Sequence, residues 1–142
     1  MDKANDTLLL YAPVPLYESA KGYLLEDQAC NGLKLWSRHF GKVIVMHPVE
    51  TGAAPASWIP VVESGVDPLK VEMVPLPTAY RPDKFLRHLP SVRKIIRSSI
   101  ARSRYLSFSI GGLSGDWGSV AAWEAHRMGR KFAIWTDRVE SE

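Results

Sequence analysis

Apolar runs and stretches of helical spacing alternate along the whole of this chain. Short apolar runs, each typical of a strand, cover residues 7–12, 42–47, 69–74, 105–110 and 131–136. Apolar side chains recur at steps of three and four over residues 23–40, over 81–104, and from residue 116 or 117 to about 128. That spacing is typical of helices that pack on one side. Pro90 interrupts the second stretch, so the pattern predicts a short helix at residues 83–88 and a longer one at 91–102.

Prolines and glycines mark the breaks between these elements. The first three strands are closed by Pro13 and Pro15, by Pro48, and by Pro75 and Pro77. Residues 13–22 are predicted to form an extended loop, and residues 50–68 an irregular segment whose apolar residues supply a short edge element. Gly129 stands where a left-handed residue would end the last helix.

This order of elements predicts an α/β domain with an open parallel sheet of about five strands and helices on both faces. The continuous apolar character of residues 8–11, 43–46 and 106–110 indicates strands that are covered on both faces. We expect residues 8–11 at the centre and the alternating third run at an edge. The expected strand order is 3-2-1-4-5, the Rossmann-like arrangement, with residues 1–142 forming a single domain.

Composition excludes several classes of protein. With 46% hydrophobic and 23% charged residues, the chain is typical of globular proteins. A net charge of +3 is too small to indicate a nucleic-acid partner. Cys30 is the single cysteine, which excludes an internal disulfide and favours a reducing compartment. The N-terminus lacks the pattern of a signal peptide, and we expect a cytoplasmic protein.

The stretch over residues 81–104 is basic as well as helical. Its charges include Arg93, Lys94 and Arg97, and Asp83 is the only acidic residue in the stretch. A basic helix with an apolar side can lie on an anionic membrane surface, which would place the protein peripherally on the inner membrane face. The other interpretation, which the sequence favours, is a solvated helix face over the sheet.

The glycine-rich segment between the fourth strand and the last helix is the candidate binding site. Gly111, Gly112 and Gly115 allow positive φ angles and close approach of a ligand to the backbone, while Ser114 or Asp116 can cap the helix. In open parallel sheets, ligands bind beyond the carboxyl ends of the strands, where this segment lies. The other interpretation is that the glycines form only a tight strand-to-helix turn.

Three better-known motifs do not fit this segment. The spacing Gly112-x-x-Gly115-x-x-Gly118 is not the dinucleotide fingerprint, no lysine completes a P-loop, and Ser114 is one residue out of register for a nucleophile elbow. Glu18 is a further candidate contact because its loop follows the first strand. The four histidines lack partners at metal-ligand spacing, so the sequence predicts no metal site, and it assigns no catalytic residue.

Two stretches carry a resemblance to a known family. One is Ser109-Ile-Gly-Gly-Leu-Ser-Gly-Asp-Trp-Gly-Ser-Val-Ala-Ala, and the other is Gly129-Arg-Lys-Phe-Ala-Ile-Trp-Thr-Asp-Arg-Val-Glu140. Together they resemble the N-terminal domain of GT-B-fold glycosyltransferases of the group 1 type. The resemblance implies that this domain binds a sugar or glycolipid acceptor, while a second Rossmann-like domain binds the nucleotide-sugar donor. By the same resemblance Asp116 and Asp137 would accept hydrogen bonds from acceptor hydroxyls.

No donor domain is found within these residues. We therefore expect the N-terminal half of a two-domain enzyme that makes a polysaccharide or glycolipid, with no cofactor in this chain and no activity without its donor-binding half. The competing hypothesis is a stand-alone flavodoxin-like binding or interaction module without catalysis. A receiver-type module is disfavoured, because the first and third strands end in Ala12-Pro13 and Val74-Pro75 rather than in acidic residues.

Overall fold

Residues 6–78, 81–110 and 117–135 are described by a computed structural model, and their strands form one sheet with helices on both faces. In chain order the elements are β1 (Thr7–Tyr11), β2 (Leu16–Ser19), β3 (Gly22–Glu26), α1 (Asp27–Trp36), β4 (Lys42–Glu50), β5 (Trp58–Pro60), β6 (Val71–Pro77), α2 (Pro82–Ala101), β7 (Tyr105–Ser109), α3 (Trp117–Arg127) and β8 (Ala133–Trp135). A 3-10 turn covers Val61–Glu63.

Five of the strands form the parallel sheet that the sequence predicts. β1 lies between β4 and β7 and pairs with both in parallel, with Leu9 opposite Ile44 on one side and Leu106 on the other. β6 pairs with the far side of β4, and β8 with the far side of β7, again in parallel. Counted among these five strands, the spatial order is 3-2-1-4-5, so the predicted Rossmann-like topology is confirmed.

Each face of this sheet is covered by helices, which explains the continuous apolar runs. Leu9 and Tyr11 of β1 pack on the side of α2 and α3, whereas Leu8 and Leu10 pack on the side of α1. All four side chains are buried. Because both faces of such a strand are covered, these side chains are all apolar, and apolar and polar residues do not alternate along it.

The β2–β3 hairpin that extends the sheet was not predicted, whereas β5 is the short edge element expected within residues 50–68. β2 pairs with the last residues of β4, β3 pairs antiparallel with β2, and β5 pairs antiparallel with β3. The predicted loop over residues 13–22 is therefore partly a hairpin, which turns at Gly22 with φ of +91°. The helix predicted over residues 23–40 is shorter, because Leu25 satisfies the helical spacing but is buried in a strand.

The prolines interrupt the helices and strands less than the sequence analysis predicted. α2 runs without interruption through Pro90, so the two predicted helices are one. Val92 and Ile96 bury its apolar side against the sheet, which offsets the loss of one backbone hydrogen bond. β4 likewise continues through Pro48, which falls in the interval where β4 changes partner from β1 to β2. Pro75 and Pro77 lie within the edge strand β6, where a missing donor is tolerated.

Among the helices described, none combines the length and the apolar character that crossing a membrane requires. The end of α3 agrees with the sequence, because Gly129 adopts a φ of +70° just beyond it.

Candidate functional site

A cleft of about 250 Å³ opens between α1, the carboxyl end of β1 and the middle of β4, and we call it the α1 cleft. β1 ends at Tyr11, and α1 begins at Asp27 on the same side of the sheet and runs back across it. The cleft therefore lies at the edge where ligands bind in open parallel sheets. Its apolar wall consists of Leu10, Ala12, Val14, Ala29, Leu33 and Val45.

Four side chains with hydrogen-bonding or aromatic character complete the wall of the α1 cleft: Glu26, Gln28, Trp36 and His47. Glu26 occupies the position before the first residue of α1, but its side chain does not cap the helix. Neither the Glu26 carboxylate nor the Gln28 amide bonds to a side chain among the described residues. A mostly apolar cleft with a few polar groups at one end is typical of small-molecule sites.

His47 is the most unusual group of the α1 cleft. It follows the last residue of β4 that pairs with β1, and it is 1% exposed. Its Nδ1 lies 2.9 Å from the carbonyl oxygen of Val14. Since a carbonyl only accepts, Nδ1 carries the proton, and Nε2 of the neutral ring is a pure acceptor.

Burial decides the charge of this imidazole. Removal from water lowers the pKa of His47 to about 4, although the backbone carbonyls of Val14 and Ala12 favour the charged form. At neutral pH the ring is therefore uncharged. Nε2 makes no hydrogen bond within the described part of the chain. A buried acceptor without a donor is uncommon in native proteins and points to a missing partner, such as a ligand hydroxyl or a water.

Trp36 supplies an aromatic surface at the mouth of the α1 cleft. Its side chain is 41% exposed, although it lies on the side of α1 that faces the cleft. Its ring lies 6.0 Å from that of Phe40, which in turn lies 5.5 Å from that of Tyr105. These two contacts hold the indole beside the sheet and leave part of it open to a ligand.

The glycine-rich segment predicted as the site, comprising Gly111, Gly112, Ser114, Gly115 and Asp116, lies outside the described residues. Its two flanks are described. β7 ends at Ser109, and α3 begins at Trp117.

The flank at the start of α3 is structural. A Cβ added to Gly118 would lie 2.0 Å from the carbonyl oxygen of Ser109, so glycine alone lets α3 approach β7 this closely. Trp117 is fully buried, donates from Nε1 to the Pro77 carbonyl oxygen at 2.7 Å and stacks on Phe85. Gly118 and Trp117 thus fix the helix at the edge of the sheet.

The other predicted contacts do not meet in the α1 cleft. Glu18 is exposed on β2, opposite Tyr23, and borders a separate cavity of about 260 Å³ at the hairpin. Asp137 lies outside the described residues. Within the described ranges, no group of three or more histidine, cysteine or acidic side chains has an arrangement that suits a metal ion.

The arginines of the basic stretch are less available to an external partner than the sequence indicates. Arg93 and Arg97 of α2 both contact the buried carboxylate of Glu124 on α3, with Nε of Arg93 at 2.6 Å from Oε2. The acidic residue that pairs with them therefore lies outside the basic stretch. The acidic partner lies 31 residues away in sequence, and only the packing of α2 on α3 brings it close.

Sequence reasoning missed the α1 cleft because its parts come from four separate elements. Histidines were considered only as metal ligands, and Trp36 only as part of the apolar side of a helix. One signal was present in the sequence: His47 is a polar residue at the end of an otherwise apolar strand, next to Pro48. Such a residue at a carboxyl edge is a site candidate in its own right.

Comparison with known proteins supports the fold and leaves the family open. No family model and no curated protein matches the chain. One similar solved structure is a UGT transferase from Siraitia grosvenorii in complex with UDP, with 13% identity and a TM-score of 0.50. The match covers 91% of this chain but 27% of that one. At this identity the likeness concerns the fold alone, which is a Rossmann-like α/β fold.

Proposed function

We propose that this chain is the acceptor-binding domain of a nucleotide-sugar-dependent glycosyltransferase, and that the acceptor occupies the α1 cleft. The observation that carries the proposal is His47, a neutral and buried acceptor without a donor, in a cleft beside the carboxyl end of β1, the central strand of a glycosyltransferase-like fold. A sugar or glycolipid acceptor carries hydroxyl groups that donate hydrogen bonds, so it supplies the group that Nε2 lacks.

The composition of the α1 cleft suits a hydroxylated ligand with apolar surface. The carboxylate of Glu26 accepts hydrogen bonds from hydroxyls, and the amide of Gln28 both accepts and donates them. The face of the Trp36 indole packs on the apolar face of a sugar or an aglycone. His47 is almost wholly buried, so the group that reaches Nε2 is a single hydroxyl or a bridging water.

His47 positions the acceptor in this account and is not the catalytic base. A group with a pKa of about 4 takes a proton from a hydroxyl poorly at neutral pH. Its contribution is orientation, because holding the hydroxyl still lowers the entropic part of the barrier. The donor sugar and the remaining catalytic groups would come from a second domain. The chain spans 27% of the UDP-bound transferase it resembles, which leaves room for such a domain.

Titration calorimetry tests the proposal with phenyl β-D-glucoside, a neutral sugar with an aromatic aglycone. We expect weak but saturable binding that Trp36→Ala reduces at least about fivefold, because the substitution removes the stacking surface. Trp123→Ala is the matched control, since Trp123 is similarly exposed but lies on α3, across the sheet. UDP-glucose should not bind measurably. Equal loss in both variants, or micromolar affinity for UDP-glucose, would contradict the proposal.

A further inference from the structure

A second cleft, of about 300 Å³, lies between α2 and α3 on the opposite face of the sheet, and we call it the α2/α3 cleft. Its apolar surface comes from Phe85, Leu89, Val120 and Trp123, and its charged rim from Arg93 and Arg127. Phe85 is held in place by stacking on the buried Trp117, with ring centroids 4.8 Å apart. The cleft is therefore a formed feature of the fold and is separate from the α1 cleft.

Glu124 lies in the wall of the α2/α3 cleft and has no exposed surface. Burying a carboxylate costs several kcal/mol, and an apolar residue would join two helices at least as well. Its presence is explained if it fixes an arginine. Oε2 accepts a hydrogen bond from Nε of Arg93 at 2.6 Å, while Arg97 lies 3.7 Å from Oε1. One carboxylate therefore faces two guanidinium groups.

Arg93 is held by Nε alone, so its two Nη groups bond to no other described residue. Arg127, on the rim one turn further along α3, makes no ion pair with any residue that the structure describes. Two arginines, Arg93 and Arg97, thus face the carboxylate of Glu124, and Arg127 adds a third positive charge on the rim. The Arg93 side chain is already held at Nε, while its Nη groups can donate hydrogen bonds to an oxyanion. Such binding costs little side-chain entropy.

We propose that the α2/α3 cleft binds a small organic anion that joins a phosphate, sulfonate or carboxylate head to an apolar body. Arg93 and Arg127 bind the head, and Leu89, Val120 and Trp123 pack on the body. The exposure of Trp123, 59% of its side chain, places a large aromatic surface beside the unpaired charge. A merely solvated helix face would explain the arginines but would explain neither the cavity nor the buried Glu124.

The test uses 8-anilinonaphthalene-1-sulfonate, an aromatic sulfonate whose fluorescence rises on binding. N-phenyl-1-naphthylamine, which has the same rings without the sulfonate, is the neutral comparison. We expect the sulfonate to bind more tightly than the neutral compound, and Arg127→Gln to weaken the sulfonate alone by about tenfold. Trp123→Ala should weaken both compounds. Near-ultraviolet circular dichroism confirms that each variant retains native packing, since loosened states also bind this dye.

One matched variant keeps the result specific. Arg38→Gln removes the same charge at an exposed position beyond the end of α1, so it should not change sulfonate affinity. Equal losses in Arg127→Gln and Arg38→Gln would overturn the proposal, as would equal affinities for the charged and neutral compounds. Binding of the protein to phosphatidylserine vesicles without binding of the soluble sulfonate would also overturn it, in favour of a membrane contact.

Discussion

Nδ1 of His47 donates a hydrogen bond to the carbonyl oxygen of Val14 over 2.9 Å, and this bond ties the segment after β1 to β4. Both residues line the α1 cleft, so the bond also sets the shape of the cleft. The same geometry leaves Nε2 as a buried acceptor. One hydrogen bond thus connects the local backbone path, the protonation state of the ring and the proposed contact with an acceptor hydroxyl.

The first prediction concerns stability at acidic pH. Above its usual pKa of 6.5, His47 is neutral in both the folded and the unfolded chain. As the pH falls from 6.5 towards 4, the unfolded chain binds a proton that the folded chain does not, so the free energy of unfolding decreases. A shift of this size corresponds to about 3 kcal/mol. Urea denaturation at several pH values between 7 and 4 measures the change.

His47→Asn is the control for this prediction, because its side-chain amide can still donate to Val14 and does not titrate. Between pH 7 and 4, the free energy of unfolding of His47→Asn should decrease by about 3 kcal/mol less than that of the parent protein. The titration of Glu72 does not affect this comparison between pH 6.5 and 4.5. Hydrogen bonding to Arg102, and then to Lys42, lowers the pKa of Glu72, so its stabilising contribution is lost only below its usual value of 4.5. Parallel pH profiles for the two proteins would refute the assignment.

The second prediction concerns the approach of α3 to the sheet. Gly118→Ala places a Cβ 2.0 Å from a backbone oxygen, and a backbone atom cannot move aside cheaply. We expect a loss of about 2 kcal/mol or more in the free energy of unfolding. Gly32→Ala in α1 is the control, because its Cβ would meet nothing within 4 Å. It should stabilise the protein by about 0.5–1 kcal/mol through helix propensity. Thermal and urea unfolding of both variants measure this contrast.

The third prediction concerns membranes. Arg93 and Arg97 are occupied by Glu124, whereas Lys94 is exposed and bonds to no described residue. If α2 contacts anionic lipid, co-sedimentation with phosphatidylserine vesicles should occur at low salt, decline as salt screens the charges, and fall in Lys94→Gln. Arg38→Gln should behave as the parent protein. No sedimentation at low salt would mean that this face of α2 is simply solvated.

The sequence was sufficient for the parallel sheet but not for its extension. Residues 8–11 and 43–46 are apolar at every position, and that pattern has one common explanation, a strand buried on both faces. Leu25 shows the limit. It fits a helical spacing as well as it fits a strand. The choice is made by pairing of β3 with β2 and with β5, in which Leu25 lies opposite Ile59, 34 residues away in sequence.

The candidate site was less predictable than the fold, because it depends on contacts between elements. Trp36 and His47 are 11 residues apart and reach one cleft only when α1 lies across β4. The pairing of Arg93 with Glu124 similarly depends on the packing of α2 on α3. Gly118 shows the same dependence, since its place in the glycine-rich spacing does not reveal that the close neighbour is the carbonyl oxygen of Ser109.

The most direct test of the central claim is an NMR titration of the ¹⁵N-labelled protein with phenyl β-D-glucoside. We expect the largest amide shifts at Ala12, Gln28, Ala29 and Gly32, together with a shift of the His47 Nε2 resonance that reports a new hydrogen bond. The amides of α2 and the Trp123 indole should stay unchanged. Shifts confined to α2 and α3, or no change at His47 Nε2 at saturation, would contradict the assignment of the α1 cleft as the acceptor site.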